Sequence, residues 1–263
     1  MPVRICVLLW ALMLAACGGG GAASPLDTAA PAPGTAATGL SGQLTVFAAA
    51  SLTDAFEDIA ARFQAAHPDV EVAFNFGGSA TLATQITESA PADVFASANQ
   101  TQMDVVEDAG LVERRRAFAG NRLEIAVEPG NPLAIAGLED LARSDVTLVL
   151  AAEEVPAGQY ARQALDAQGI TVDPASLETD VRAVLSRVAL GEADAGIVYA
   201  SDIVAADGGV DGVTVPPDHS VAVTFPIAPL TSATNPAAAR AFVEQVVSAD
   251  GRDILAAHGF TAP

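Results

Sequence analysis

Apolar positions along this chain follow two periods, and their alternation outlines an α/β fold. Leu44 to Ala49 is a short apolar run of the kind that forms a buried parallel strand. After it, Leu52, Ala55, Phe56, Ile59, Ala60 and Phe63 recur at helical spacing, and His67-Pro68 closes that helix. Ser51, with Asp54 three residues on, reads as a capping-box variant at its start. The motif then repeats. Val70 to Phe76 predicts a strand, and Gly77-Gly78-Ser79 opens a helix running to about Glu88. Asp93 to Ser97 predicts a third strand, followed by a helix capped by Asn99, with Gln102 at its third position, that stops at Gly110. Strand–helix alternation with short links means parallel-dominated sheets covered by helices.

A second unit begins near Asn121, with a strand over Leu123 to Val127 and the turn Pro129-Gly130-Asn131-Pro132. A short helix around Leu138 to Ala142 and a strand over Val146 to Leu150 follow. Pro156-Ala157-Gly158 opens a helix to about Gln168. Asp180 caps another, with Val181, Val184, Leu185 and Val188 inward and Gly191 as its stop. Ala195 to Tyr199 is a strand, with a short helix from Ser201. Val213 to Val215 and Val221 to Phe225 are further strands. The chain ends in helices at about Pro236 to Val247 and Gly251 to Ala257, stopped by Gly259 with Phe260 behind it.

The first 42 residues break this pattern. Ile5 to Ala16 is an apolar run of 12 residues after Arg4, too short to span a bilayer and suited to a signal segment. It ends in Leu14-Ala15-Ala16-Cys17, which resembles a bacterial lipobox; residues 1–17 are therefore expected to be a lipoprotein signal with Cys17 as the lipid attachment. Cleavage removes Cys6 and leaves Cys17 alone, so neither an intramolecular disulfide nor a cysteine metal site is expected. Residues 18–42, rich in Gly, Ala and Pro with one charge, read as a flexible tether.

Composition narrows the chemistry. The chain has 263 residues, 32 Asp and Glu against 12 Lys and Arg, and a net charge of −20. All the cations are Arg, so a Walker lysine and a Schiff-base lysine are excluded. So acidic a protein is repelled by nucleic acid, and no nucleic-acid partner is expected. His67, His219 and His258 lack partners at metal-ligand spacing. No G-x-S-x-G or G-x-G-x-x-G motif occurs, so neither an enzyme nor a cofactor is expected. Arg114-Arg115-Arg116 reads as an anion cluster or, more simply, a solvated loop. Small residues at Ser51, Gly77-Gly78-Ser79 and Pro156-Ala157-Gly158 all stand where helices begin. Such starts present unpaired N–H groups and partial positive charge; they are either ordinary caps or parts of an anion site.

Five segments carry a resemblance: Phe47 to Phe63, Asn75 to Ile86, Pro91 to Asn99, Val155 to Leu165 and Gly196 to Asp202. In this order they resemble the molybdate-binding proteins of bacterial molybdate ABC transporters, and the closing GRDILAAHGF is similar to the same family. The resemblance implies a two-lobed type II periplasmic binding fold with a two-strand hinge. Lobe I is expected over 43–120 plus 226–263, and lobe II over 121–225. It implies a molybdate site of hydroxyl and backbone donors from Ser51, Ser79, Ala157, Val181 and Tyr199, with no side chain bound directly to the metal. It also implies molybdate or tungstate as ligand, an ABC permease as partner, a monomeric state and an extracytoplasmic, lipid-anchored location. A binding protein for another tetrahedral oxyanion such as sulfate is the alternative. A lipid-anchored serine hydrolase using Ser51 or Ser79 would lack a histidine base at any recognisable spacing.

Overall fold

The computed structural model describes residues 39–263, Pro217 excepted. The expected signal segment, the lipid attachment at Cys17 and most of the expected tether lie outside the described residues. Leu40 packs against the core, and the Asn235 side-chain amide donates to the carbonyl of Ser41 at 2.9 Å.

The chain runs through β1 (Gly42–Ala49), a 3-10 turn (Ala50–Leu52), α1 (Thr53–Ala66), β2 (Val70–Gly77), α2 (Ser79–Thr87), β3 (Val94–Ala96), α3 (Gln100–Asp108) and β4 (Arg116–Asn121). Then come β5 (Leu123–Val127), a 3-10 turn (Leu138–Ala142), β6 (Leu148–Ala151), α4 (Pro156–Ala167), β7 (Ser176–Glu178), α5 (Val181–Ala189), β8 (Ala195–Tyr199), α6 (Ala200–Ala205) and β9 (Asp211–Thr214). It closes with β10 (Val223–Pro229), α7 (Pro236–Val247) and α8 (Ala249–Ala257).

The strands form two five-stranded sheets, ordered β2-β1-β3-β10-β4 and β7-β6-β8-β5-β9. In each, three neighbouring strands pair parallel and the remaining pairings are antiparallel. β5 enters the second sheet directly from the first, and β10 returns to the first from the second; each takes the antiparallel place inside its sheet. This is a two-lobed α/β fold in which the chain crosses between lobes twice, at Arg122 and between Thr214 and Val223.

The C-terminal helices belong with the first sheet. Phe56 and Phe63 on α1 meet Phe242 on α7 edge to face, with ring centroids 6.0 and 5.5 Å apart. Burying each phenyl contributes about 1.5–3 kcal/mol. Asp93 clamps the same region. It is buried and accepts hydrogen bonds from the backbone N–H groups of Thr45 (2.8 Å), Thr234 (2.6 Å) and Asn235 (3.0 Å).

Two strands escaped the sequence pattern, β4 and the three-residue β7. β4 begins at Arg116, so the arginine run is not a free loop. Arg116 pairs with Glu244 at 2.7 Å, and Arg115 pairs with Asp104 and Glu107.

Candidate functional site

Strand ends from both sheets face one cleft, the usual location for ligands in open α/β sheets. β1, β2 and β3 reach it from one lobe, and β6, β7 and β8 from the other. Helices α2, α4 and α5 start there, as does the 3-10 turn that precedes α1. Ser51, Ser79, Ala157, Val181 and Tyr199 all line one cavity in this cleft. Its interior leaves about 10 Å³ open to the centre of a water-sized sphere, far below the roughly 300–1,000 Å³ of pockets for drug-sized organic ligands, so it suits a small ion.

Ser51 does not cap α1. The 3-10 turn holds it ahead of the helix start, the N-cap is Leu52, and no side chain closes a capping bond there. The capping-box reading of Ser51 and Asp54 is therefore corrected. The turn moves the start of the helix beyond the serine, and the Asp54 carboxylate pairs with Arg182 instead. Ser51 is 3% exposed and its Oγ has no hydrogen-bond partner. The Tyr199 hydroxyl, on a side chain 1% exposed, is also unpartnered. A buried polar group without a partner costs about 1–3 kcal/mol, so two beside one cavity point to a missing acceptor.

Ser79 is the first residue of α2, and Gly78 is the N-cap. The Ser79 Oγ accepts the backbone N–H of Ala98 at 3.0 Å, which leaves the hydroxyl proton free to donate. Helix starts supply further donors. In α2 the Leu82 N–H is bonded to the Gly78 carbonyl, so the Ser79 N–H has no intrahelical acceptor. In α4 the Gln159 N–H is bonded to the Val155 carbonyl, which leaves the Ala157 and Gly158 N–H groups in the same position. In α5 Asp180 takes the Ala183 N–H on its side chain and the Val184 N–H on its carbonyl, leaving the Val181 N–H.

The electrostatics follow from these parts. Among the described residues no Arg or His lines the cavity; its positive character comes from helix starts. The one lining carboxylate, Asp180, is engaged in capping α5. Burial, with Tyr160 and Asp202 nearby, pushes the Tyr199 phenol well above its ordinary pKa, so it remains an O–H donor near neutral pH. The wall of the cavity is therefore rich in donors and poor in free acceptors.

The lobes meet over this cavity. A Cβ on Gly78 would lie 2.3 Å from the Thr179 carbonyl oxygen of the opposite lobe. The Asn99 amide donates to the Gln159 side chain at 2.8 Å, and the Gln102 amide to the Glu154 carbonyl at 3.2 Å. Arg182 reaches Asp54 from the other side. The five residues expected from the sequence share one cavity, whereas these bridges were not foreseen. Gly78 was visible only as part of a helix-opening turn, and no local pattern links Arg182 to Asp54.

The profile of the bacterial extracellular solute-binding proteins matches residues 44–261. The molybdate-binding protein ModA of Mycobacterium tuberculosis is 42% identical over 251 residues, covering 95% of this chain and 93% of the relative. The molybdate-binding protein ModA of Escherichia coli is 36% identical, covering 84% of this chain and 89% of the relative. Among solved structures, the periplasmic molybdate-binding protein of Azotobacter vinelandii superposes with a TM-score of 0.75. That match is 20% identical and covers 84% of this chain and 99% of the other; it is a likeness of fold. With two lobes, a cleft at the strand ends and relatives aligned over nearly its whole length, the chain belongs to the bacterial extracellular solute-binding proteins, as a periplasmic binding protein of the ModA type.

Proposed function

We propose that this protein captures molybdate outside the cytoplasm and delivers it to an ABC permease, with tungstate as a second ligand. The observation that carries the reading is the pair of buried, unpartnered hydroxyls, Ser51 Oγ and Tyr199 Oη, in a cavity lined by helix starts and no cationic side chain. A tetrahedral dianion supplies the missing acceptors. The Ser79 hydroxyl and the N–H groups of Ala157 and Val181 complete the set. The names of the relatives support molybdate as the anion.

Donors alone also give selectivity. Phosphate keeps a proton near neutral pH and needs an acceptor, in which this wall is poor, so it binds less well. Sulfate has the right charge but is smaller, and cavity size must reject it. Hydrogen bonds to a charged ligand contribute about 1.5–3 kcal/mol each. Five of them exceed the ordering and desolvation costs by enough for micromolar or tighter binding.

Lipid attachment at Cys17 would hold the domain at a membrane surface, as a monomer on a tether. Titration calorimetry with molybdate, tungstate, sulfate and phosphate tests the ligand reading. Tight binding of the first two and weaker binding of phosphate are expected. Preference for sulfate over molybdate would overturn it. Intact-mass measurement of membrane-extracted protein tests the lipid, which an unmodified N-terminus would rule out.

A further inference from the structure

We propose that Arg182 and Asp54 form a clasp across the cleft that stabilises the closed state and so sets how long the anion is held. Arg182 follows Val181 on α5, in the second lobe. Asp54 lies in the first turn of α1, three residues beyond Ser51 in the first lobe. The pair therefore joins the helix starts that carry two of the proposed ligand donors. Its guanidinium pairs with Asp54 through Nη2, while its Nε lies 3.0 Å from Asp202 Oδ1.

The two carboxylates have different roles. Asp202 is fully buried on α6, in the same lobe as Arg182, and also accepts the Tyr199 backbone N–H at 3.0 Å. It stays beside Arg182 however the lobes move, as a close ion pair rather than a hydrogen bond, since neither Arg182 Nε nor Asp202 Oδ1 has a hydrogen-bond partner, and its charge keeps the guanidinium near. Asp54 is 43% exposed and belongs to the other lobe, so its contact forms on closing and breaks on opening. Arg182 is thus oriented in advance by one carboxylate and made available to the other. A planar fork suits this double engagement, and a lysine ammonium would not span both. With the two carboxylates engaging it, the arginine stays out of the cavity wall, and the bound anion meets neutral donors only.

A contact made only in the closed form shifts the population toward that form and slows release. Arg182 and Asp54 are positioning residues in this scheme; neither lines the cavity. The inference rests on the oxyanion-binding reading for its kinetic readout, and a second measurement is independent of ligand.

The test uses the full chain with Asp54→Asn, Asp54→Glu and Arg182→Lys. Stopped-flow release of molybdate should be about 1.5- to fivefold faster in Asp54→Asn, with kon little changed, the range expected for a partly exposed pair. Asp54→Glu should restore slow release, and Arg182→Lys should resemble Asp54→Asn. The apo melting temperature, which a merely structural role would lower, should stay near wild type in Asp54→Asn. Residual dipolar couplings on ligand-free protein should place the average interlobe angle further from the closed arrangement in Asp54→Asn than in wild type. Unchanged release with an unchanged angle overturns the clasp. So does an affinity loss carried by kon alone, which would mean steering by charge. If wild type binds no oxyanion, the proposed function falls, and the ligand-free angle alone decides the clasp.

Discussion

Replacing Ser51 by alanine separates a ligand donor from a structural serine by the sign of its effect on the free protein. A capping serine stabilises its helix, and its loss costs about 0.5–2 kcal/mol. Ser51 makes no capping bond and its Oγ is buried without a partner, so in the free protein the hydroxyl is a burden. Removing it should leave apo stability unchanged or raise it by up to about 1 kcal/mol, roughly 2–4 °C in a domain of this size. Binding should move the other way. Loss of one hydrogen bond to a dianion costs about 1.5–3 kcal/mol, or roughly 10- to 150-fold in Kd. Thermal melting of the ligand-free variant and calorimetry with molybdate read the two quantities independently. A variant with lowered apo melting and a Kd within twofold of wild type would refute the donor role and restore the capping one.

Ser79→Ala should differ from Ser51→Ala. It strands the buried Ala98 N–H, so calorimetry should show weaker binding and melting should show an apo loss of about 1–3 kcal/mol. Gly78→Ala places a methyl against the Thr179 carbonyl in the closed form alone; molybdate affinity should fall at least tenfold in calorimetry, with apo stability down by about 1 kcal/mol or less. Asp202 is pushed up to about 6 by burial, against the pull of Arg182 and of the Tyr199 N–H. The folded state then binds its proton more tightly than the unfolded state. This contribution is fully present below the ordinary value of 3.8 and is lost as pH rises through about 6. Denaturant titrations of wild type and Asp202→Asn should therefore diverge in favour of the variant between pH 4 and 6, by about 3 kcal/mol at most.

Local signals carried most of the architecture. Asn99 and Asp180 cap their helices as their spacing to Gln102 and Ala183 implies, and Gly110, Gly191 and Gly259 end helices with positive φ. The helix starts at Ser79 and Pro156 were readable because they are local events, while the grouping of Val181 and Tyr199 with them came only from the family resemblance. Ser51 shows the limit of the same logic. Ser-x-x-Asp is a capping pattern whether or not the chain inserts a 3-10 turn, and the turn decides. β4 was hidden because its residues, Arg-Ala-Phe-Ala-Gly-Asn, carry neither alternation nor an apolar run, and its pairing comes from β10. β7 is too short to show any period. The bridges across the cleft were not readable at all. Arg182 and Asp54 are 128 residues apart in sequence, and only the folded chain brings them together.

The exchange of strands between the sheets imposes an order of assembly. Every strand of the second sheet lies between Leu123 and Thr214, so that sheet can close from one continuous stretch. The first cannot. β4 pairs only with β10, and its remaining backbone bridge joins Gly120 to Thr261. Both partners are synthesised after the whole second sheet. Until Val223 and the residues beyond it are available, residues 116–121 have no strand to join, and the first sheet lacks two of its five members. Closing so long a loop is slow. The lobe made first in sequence is therefore the one finished last, and the chain stays incompletely folded until its C-terminal sixth is in place.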